Sequence, residues 1–379
     1  MTLALNEQQQ LLKRSAEQFF REQAPVKAQR ALRDSRDADG FSRALWSQMA
    51  DMGFAGTCLG EGYGGIGCGF VELGVVLEAA GRTLAASPLL ASLALGAQAV
   101  LLGGSETLKS SLLPRVAAGE TLLTLAYQES AHHRPTQVAA EAREHGDGYV
   151  LNAHKCYVLD GHIADYYIVS ARTAPATEPS AGISLFLVAR GAPGVSVRRL
   201  SMVDSRNMAD LVLENVALGP DALLGELHAG YPLLEQVLAR ANIALCAEML
   251  GSMQEAFERT LAYLQLREQF DVPIGSFQAL QHRAAQMFCE IEMSRSLVLR
   301  ALSAVDEQAV DIELLASAAK VQVSESLRLV SDEAIQMHGG IGMTDEEEIG
   351  FFLKRARVAQ QTFGDEFYNV QRYASLRGY

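Results

Sequence analysis

The hydrophobic pattern of this chain changes its period twice, and no other feature constrains the fold as strongly. Over the first 120 residues apolar side chains recur at helical spacing, as Leu11, Leu12 and Ala16 do after Asn6, a plausible N-cap. Short runs rich in Val, Ile, Leu and Tyr then alternate with turn residues, and afterwards the helical spacing returns to the end. The pattern predicts an α+β protein with a helical domain over 1–120, a β-domain over 121–228 and a helical bundle over 229–379.

Individual elements can be placed within these three parts. In the first, Ser105 is a plausible cap and Gly119 a plausible stop for one helix. In the last, four long helical patterns with short connections are typical of an antiparallel four-helix bundle. The β-domain is predicted to place strands in the runs TLLTLAYQE, GYVLNAHKCYVL, ADYYIVSART, GISLFLVAR and VSVRRL.

Composition excludes several classes of protein. The net charge of −13 argues against a partnership with nucleic acid or an anionic membrane surface. There is no apolar run of about 18 residues that would span a membrane, and the start lacks the pattern of a signal peptide, so we expect a cytoplasmic protein. The five cysteines are scattered without a CxxC pair or zinc spacing, which predicts reduced, mostly buried thiols and no metal site.

Three motifs have both a functional and a structural interpretation. GEGYGG, at 60–65, satisfies the dinucleotide pattern, but no strand is predicted before it, so a glycine-rich turn is favoured. Arg267 could hold a phosphate and Phe270 could stack on a base; equally, they could be a capping Arg and a core Phe. Gly339 and Gly340 permit close approach of a ligand to the backbone, although an ordinary helix end explains them as well.

Four stretches, taken in order, resemble the acyl-CoA dehydrogenase family of flavoproteins over essentially the whole chain. They are EGYGGIGCGFVELGVVLEAAGRTL, GDGYVLNAHKCYVLDGHIADYYIVSAR, REQFDVPIGSFQALQHRAAQM and QMHGGIGMTDEEEIGFFLKRARV. Within the family, VSART, ALCAEMLGSM and TFGD are similar to the small subunit of pimeloyl-CoA dehydrogenase.

The resemblance implies a fold, a cofactor and a reaction. The fold would have an N-terminal helical domain, a central β-barrel-like domain and a C-terminal four-helix bundle, assembled as a tetramer. The cofactor would be FAD. The reaction would be α,β-dehydrogenation of an acyl-CoA in fatty acid metabolism: a carboxylate takes the α-proton, flavin N5 takes the β-hydride, and an electron-transfer flavoprotein receives the electrons.

Cofactor contacts carry over by motif. Positions that serve the FAD of a neighbouring subunit keep the family's residue types here, namely Arg267, Phe270, Gln336, Gly339 and Gly340, and Gln278 matches a glutamine at a helix start that also approaches the cofactor. Positions that serve a subunit's own FAD depart from the family, with Gln128, Arg134, Tyr157 and Leu159 replacing the usual types. Gln128 could still donate through its amide and Arg134 could meet phosphate, whereas Leu159 can offer only its backbone.

The catalytic base is also altered. The family's Glu-Gly-Thr aligns with Asp365 and Glu366, so Asp365 is the predicted base and Glu366 the reserve. Relatives that hold the base on the first bundle helix match Ala241, which cannot serve, and a basic residue that supports CoA matches Asn242. Phe363 and Phe367 would supply apolar walls around the carboxylate.

Two hypotheses follow, and a third is kept open. The chain is either an FAD-dependent acyl-CoA dehydrogenase or a non-catalytic subunit of a heterotetramer that completes a partner's FAD site. The second is motivated by the intact contacts toward a neighbour beside the altered contacts toward the chain's own FAD. A flavin oxidase of the same fold is the third. The identity of the acyl group and the choice between homotetramer and heterotetramer stay open.

Overall fold

The computed structural model describes residues 4–175 and 178–379, so the first three residues of the predicted N-terminal domain lie outside it. The elements follow the predicted order of helices, strands and helices. The N-terminal helices are α1 (Glu7–Gln23), α2 (Val26–Ser35), α3 (Arg43–Asp51), α4 (Phe70–Arg82), α5 (Gln98–Gly103) and α6 (Glu106–Ala117), with a π-helical segment over Leu90–Ala97. The strands are β1 (Leu123–Ala126), β2 (Glu141–His145), β3 (Gly148–Leu159), β4 (Tyr166–Arg172), β5 (Ile183–Ala189), β6 (Val195–Ser201), β7 (Asn207–Leu218) and β8 (Leu223–Leu224).

The C-terminal part is helical apart from one small hairpin. Its elements are α7 (Tyr231–Leu266), β9 (Glu268–Gln269), β10 (Val272–Pro273), α8 (Gln278–Asp306), α9 (Ile312–His338), α10 (Ile349–Gln361) and α11 (Glu366–Leu376). The four predicted bundle helices are therefore present, and a fifth, shorter helix follows them. The predicted fold class is confirmed.

Helix ends confirm the predicted caps. Asn6 and Gln9 form a reciprocal capping box at the start of α1, and the Ser105 hydroxyl accepts a hydrogen bond from the backbone N–H of Leu108 at 3.2 Å. α2 was not predicted because Pro25, at its N-cap, makes no side-chain capping bond and leaves no start signal. β2 was missed because four of its five residues are exposed, which removes the apolar alternation that marks a strand.

Contacts divide the chain into two compact units. Of the described residues, those within 1–36, 70–86 and 242–379 form the first unit, and those within 37–69 and 87–241 form the second. The predicted domain boundaries follow the change in secondary structure rather than this division into units, and they stay a prediction.

The second unit is built on a mostly antiparallel sheet in the order β6-β7-β3-β2-β4-β5-β8, with β1 pairing in parallel with β4. Its core contains a fully buried cation, Lys155 on β3. The Lys155 ammonium donates to the Glu129 carboxylate at 2.5 Å and to the Ser170 hydroxyl at 3.1 Å, and burial lowers the pKa of Lys155 to about 8. This ion pair ties β3 to the segment that follows β1 and carries Gln128.

The first unit is a helical assembly in which α9 packs against α8, α10 and α11. Asp306, at the end of α8, accepts hydrogen bonds from the backbone N–H groups of Phe70 and Val71 and so caps α4. Arg355 on α10 and Glu248 on α7 form a buried ion pair at 2.8 Å. Separating the two charges would leave each of them buried without a partner, which is strongly destabilising. The pair therefore holds α7 and α10 in a defined register.

Four further expectations can be compared with the structure. None of the described helices combines the length and the apolar character needed to cross a membrane. All five cysteines are free thiols, but the expectation that most are buried is wrong, because only Cys246 is buried while Cys68 and Cys289 are exposed. Among the described residues, no cluster of His, Cys, Asp or Glu side chains could hold a metal ion. GEGYGG forms a short 3₁₀ turn over Glu61–Tyr63 rather than a dinucleotide loop after a strand.

Candidate functional site

A β-hairpin with a two-residue turn follows α7. It carries the residues predicted to contact a phosphate and to stack on a nucleotide base. Phe270 and Asp271 occupy its turn with φ of +56° and +62°, the combination that defines a type I′ turn. Phe270 is 85 % exposed, so the alternative of a core phenylalanine is wrong. Arg267 is also exposed, at the foot of the hairpin, and Gln278 is exposed at the first position of α8. The hairpin therefore presents an aromatic ring and a guanidinium to the surroundings of the first unit.

The C-terminal end of α9 lies beside this hairpin. The ring of Tyr263, one turn before Arg267, stacks on His338 with a centroid distance of 4.5 Å. Gly339 then ends α9 with φ of +62°, and its N–H donates to the carbonyl of Gln336, an exposed residue. The stacked pair thus brings together the two sequence segments that carry the predicted contacts to a neighbour's FAD.

Gly340 has no steric reason inside this chain to be glycine. A Cβ added there would meet nothing within 4 Å, and its φ lies outside the left-handed region. Gly339, by contrast, needs its left-handed φ, although a Cβ there would also meet open space. A bare backbone facing outward at both positions fits close approach by a group from outside the chain.

The loop after these glycines is anchored by α2. The Arg33 guanidinium binds both carboxylate oxygens of Asp345, at 2.6 and 2.7 Å, and Arg30 binds the same carboxylate at 3.0 Å. Arg33 lowers the pKa of Asp345 to about 2, mainly through its hydrogen bonds. Both guanidinium groups also lie over the ring of Phe351, 4.8 and 5.1 Å from its centroid. These contacts limit the freedom of the glycine-containing loop.

The contacts predicted toward the chain's own FAD lie in the second unit. The Gln128 amide donates to the carbonyl of Ser130 at 2.9 Å, and Arg134 is exposed with a long contact of 3.5 Å to Gln137. Tyr157 lies at an irregularity in the β3–β7 pairing with φ of +52°, which directs its 40 %-exposed ring away from the regular pleat.

Leu159 ends the same strand, β3. Its backbone carbonyl accepts the Thr124 hydroxyl at 2.6 Å. The Gln128 amide, which was predicted to donate to the cofactor, and the Leu159 carbonyl, one part of the backbone that Leu159 could offer, therefore both make hydrogen bonds inside the chain.

Asp365 is the N-cap of α11. Its Oδ1 accepts a hydrogen bond from the backbone N–H of Tyr368 at 2.9 Å, and the side chain is half-buried. Because a carboxylate has a second oxygen, capping does not by itself prevent Asp365 from taking a proton. Phe363 is buried next to it, but the expectation that Phe367 forms an apolar wall is wrong, since Phe367 is 76 % exposed.

Glu366 faces α9 rather than the turn. Burial, followed by a hydrogen bond to Glu366 and its charge, raises the pKa of Glu325 on α9. This hydrogen bond places the Glu366 carboxyl against α9. Of the two predicted catalytic acids, Glu366 is therefore engaged with α9, and Asp365 is the one whose side chain lies at the turn.

Sequence reasoning missed two buried residues beside this turn, Lys320 on α9 and Asn369 on α11. The Lys320 ammonium donates to the carbonyls of Ala359 and Thr362, and the Asn369 amide donates to those of Gly364 and Asp365. A signal for Lys320 was available, since it is the lone charge in the apolar run LLASAAKVQV. Asn369 gave no comparable signal.

Comparison with known proteins assigns the whole chain to one family. Sequence profiles described as the N-terminal, middle and C-terminal domains of acyl-CoA dehydrogenase match residues 6–120, 128–216 and 228–374. Mitochondrial isovaleryl-CoA dehydrogenase from Pongo abelii is 30% identical over 93% of this chain and 85% of its own length. The chain belongs to the acyl-CoA dehydrogenase family, whose members are FAD-dependent oxidoreductases.

Two solved structures extend the comparison. A chain of the ChsE4–ChsE5 complex from Mycobacterium tuberculosis is 26% identical, with a TM-score of 0.90 over 100% of this chain and 99% of that one. The FAD complex of PigA is 25% identical, with a TM-score of 0.90 over 100% of this chain and 99% of that one. The fold described above is thus shared with a heteromeric complex and with an FAD-bound protein.

Proposed function

We propose that this chain catalyses α,β-dehydrogenation of an acyl-CoA thioester, with Asp365 as the base. The observation that carries the proposal is the position of Asp365, at the start of α11 on a constrained turn, in a chain that matches all three domains of the family. Bound FAD would accept the β-hydrogen as hydride and pass the electrons to an electron-transfer flavoprotein. The α-proton would go to the Asp365 carboxylate as the C=C bond forms.

The residues present fit the cofactor in character. Exposed Phe270 can stack on an aromatic base, Arg267 can bind phosphate, and outward-facing Gly339 and Gly340 permit close backbone approach, with Gln336 and Gln278 as amide donors. Those residues would serve the FAD of a neighbouring subunit, whereas Gln128, Arg134, Tyr157 and Leu159 would approach the chain's own FAD from the β-domain. The acyl-CoA substrate would meet Asp365, whose aspartate side chain is one methylene shorter than the usual glutamate.

The visible spectrum of the purified chain tests this function directly. We expect flavin absorbance at a ratio near one FAD per chain, bleached without oxygen by an acyl-CoA. A panel of straight, branched and cyclic acyl-CoA thioesters would define the acyl group. A chain that carries flavin but is reduced by none of them would contradict the proposal, and hydrogen peroxide release at every turnover would indicate the oxidase.

Gly340→Ala separates cofactor binding from stability. Because an added Cβ meets nothing inside the chain, we expect a melting temperature of the flavin-free protein within about 2 °C of wild type, consistent with a surface substitution. If a flavin approaches this backbone, its affinity falls by about tenfold or more, since a methyl group would intrude between them. Affinity is measured by titrating FAD into the flavin-free protein.

Gly191→Ala is the matched control for that experiment. Gly191 is also a glycine with open space around it, but it lies in the turn between β5 and β6, which carries none of the predicted contacts. Equal FAD affinity in the two variants and the wild type would remove Gly340 from the cofactor site.

A second candidate function is favoured by one specific contrast. The groups predicted to serve a neighbour's FAD are exposed, whereas Gln128 and Leu159 already bond within the chain. Similarity to a chain of the ChsE4–ChsE5 complex supports the same idea. In this alternative the chain is a subunit of a heterotetramer, of the kind suggested by its pimeloyl-CoA dehydrogenase-like motifs. A colourless chain that becomes yellow only with a co-expressed homologue would establish it over a homotetrameric cytoplasmic enzyme.

A further inference from the structure

The turn between α10 and α11, residues 362–365, adopts a strained backbone conformation that contacts from the rest of the chain must stabilise. Phe363 and Gly364 are both left-handed, with φ of +60° and +96°. A phenylalanine in this conformation costs roughly 1–2 kcal/mol, which the surrounding structure must offset. Gly364 also has no room for a side chain, because an added Cβ would lie 2.5 Å from the ring of Tyr368. Whatever holds this turn therefore determines where Asp365 lies.

Lys320 holds the turn from the side of α9. Its side chain is fully buried, and its ammonium donates to the carbonyls of Ala359 at 2.7 Å and Thr362 at 2.6 Å. These carbonyls stand at the C-terminal end of α10, where a cation is favoured by the helix dipole. Burial lowers the pKa of Lys320 to about 8, so the group still carries its proton at neutral pH. The charge of Arg355 lowers this pKa as well, and that of Asp365 raises it.

Asn369 holds the turn from the side of α11. Its amide nitrogen donates to the carbonyls of Gly364 at 3.0 Å and Asp365 at 2.9 Å. Its amide oxygen accepts from the nitrogen of Asn242 on α7 at 3.2 Å. Since both carbonyl contacts require the nitrogen, the amide has one orientation, and α7 supports it. The turn is thereby tied to two helices besides the two that it joins.

We propose that Lys320 and Asn369 are positioning residues for the proposed base, Asp365. Between them they bind four carbonyls, those of Ala359, Thr362, Gly364 and Asp365, so the turn cannot shift without breaking buried hydrogen bonds. A shift of about 1 Å at a reacting group can cost about a hundredfold in rate, so the reaction requires this restraint. The proposal rests on the proposed function for its kinetic consequence, although the restraint itself can be measured without substrate.

Lys320→Met tests the restraint and its consequence separately. Methionine keeps an unbranched apolar chain but cannot donate, so two carbonyls lose their partner. In the protein without substrate, we expect amide hydrogen exchange of residues 362–369 to accelerate by about tenfold or more. In the flavin-loaded protein, we expect the rate of flavin reduction at saturating acyl-CoA to fall by about 10- to 100-fold. The half-saturating concentration should change by less than about threefold, because substrate binding is not the affected step.

Val330→Ala is the control for general destabilisation. Val330 is fully buried on the same helix, ten positions further on and about 15 Å along its axis, so its truncation leaves the turn untouched. Exchange of 362–369 and the rate of flavin reduction should therefore stay at wild-type values in this variant. Asn369→Ala is the second test variant, and it should reproduce both effects of Lys320→Met.

The outcomes are distinguishable. Unchanged exchange in both test variants would refute the restraint, and faster exchange with an unchanged reduction rate would refute the positioning role. Failure of both variants to fold would make the residues structural and would equally overturn that role. If wild type is reduced by no acyl-CoA, the proposed function fails, while the exchange measurement still decides whether Lys320 and Asn369 restrain the turn.

Discussion

Asp365→Asn is expected to slow flavin reduction by an acyl-CoA by about 10²- to 10⁴-fold, the contribution typical of a general base. The structure makes this substitution unusually informative, because Asp365 also caps α11 through the N–H of Tyr368. Asparagine caps a helix as well as aspartate does but cannot accept the α-proton. The variant therefore removes the base and keeps the cap, and the melting temperature should stay near that of wild type.

Two other variants complete that experiment. Asp365→Ala removes both roles, and loss of the cap should add a destabilisation of about 0.5–2 kcal/mol to the same kinetic defect. Glu366→Gln tests the reserve acid, whose partner is Glu325 on α9. Turnover of Asp365→Asn at the wild-type rate would exclude Asp365 as the base. If Glu366→Gln alone were inactive, the assignment of the two acids would be reversed.

Gly251→Ala is expected to destabilise the first unit by about 3 kcal/mol or more, the upper part of the range for overpacking. A Cβ at Gly251 on α7 would lie 1.9 Å from the carbonyl oxygen of Glu78 on α4. Reciprocally, a Cβ at Gly81 would lie 2.1 Å from the carbonyl oxygen of Glu248. The two helices cross at a pair of glycines, with backbone against backbone, so no flexible side chain can yield to an added methyl group.

Helix propensity and packing predict opposite signs for the change in stability of Gly251→Ala. By helix propensity alone, Gly→Ala stabilises a helix by about 1 kcal/mol. Gly350→Ala is the matched control, because Gly350 lies within α10 and an added Cβ would meet its nearest neighbour at an ordinary 3.8 Å. Thermal unfolding should show Gly350→Ala at or slightly above wild type and Gly251→Ala well below it. A stabilised Gly251→Ala protein would contradict the close crossing.

The motifs predicted which segments carry the candidate site, but they could not predict how the residues of those segments are used. The stacking of Tyr263 on His338 brings the hairpin with Arg267 and Phe270 beside the helix end with Gly339. Residues that are predicted to contact the same FAD of a neighbouring subunit need to lie close together in this way. No motif indicated that the Leu159 carbonyl accepts the Thr124 hydroxyl. The exposure of Phe367 was equally unpredictable, because an aromatic residue beside an acid looks the same in sequence whether it packs or not.

Periodicity and caps specified the types of elements and their order, because they act between residues a few positions apart. The spacing of apolar side chains and the capping residues Asn6 and Ser105 belong to this local information. The environment of Asp365 belongs to the other kind. Which residues restrain its turn depends on Lys320 and Asn242, which only the packing of α9 and α7 brings to it. Contacts between residues distant in sequence leave no periodic trace, so the tertiary structure alone decided them.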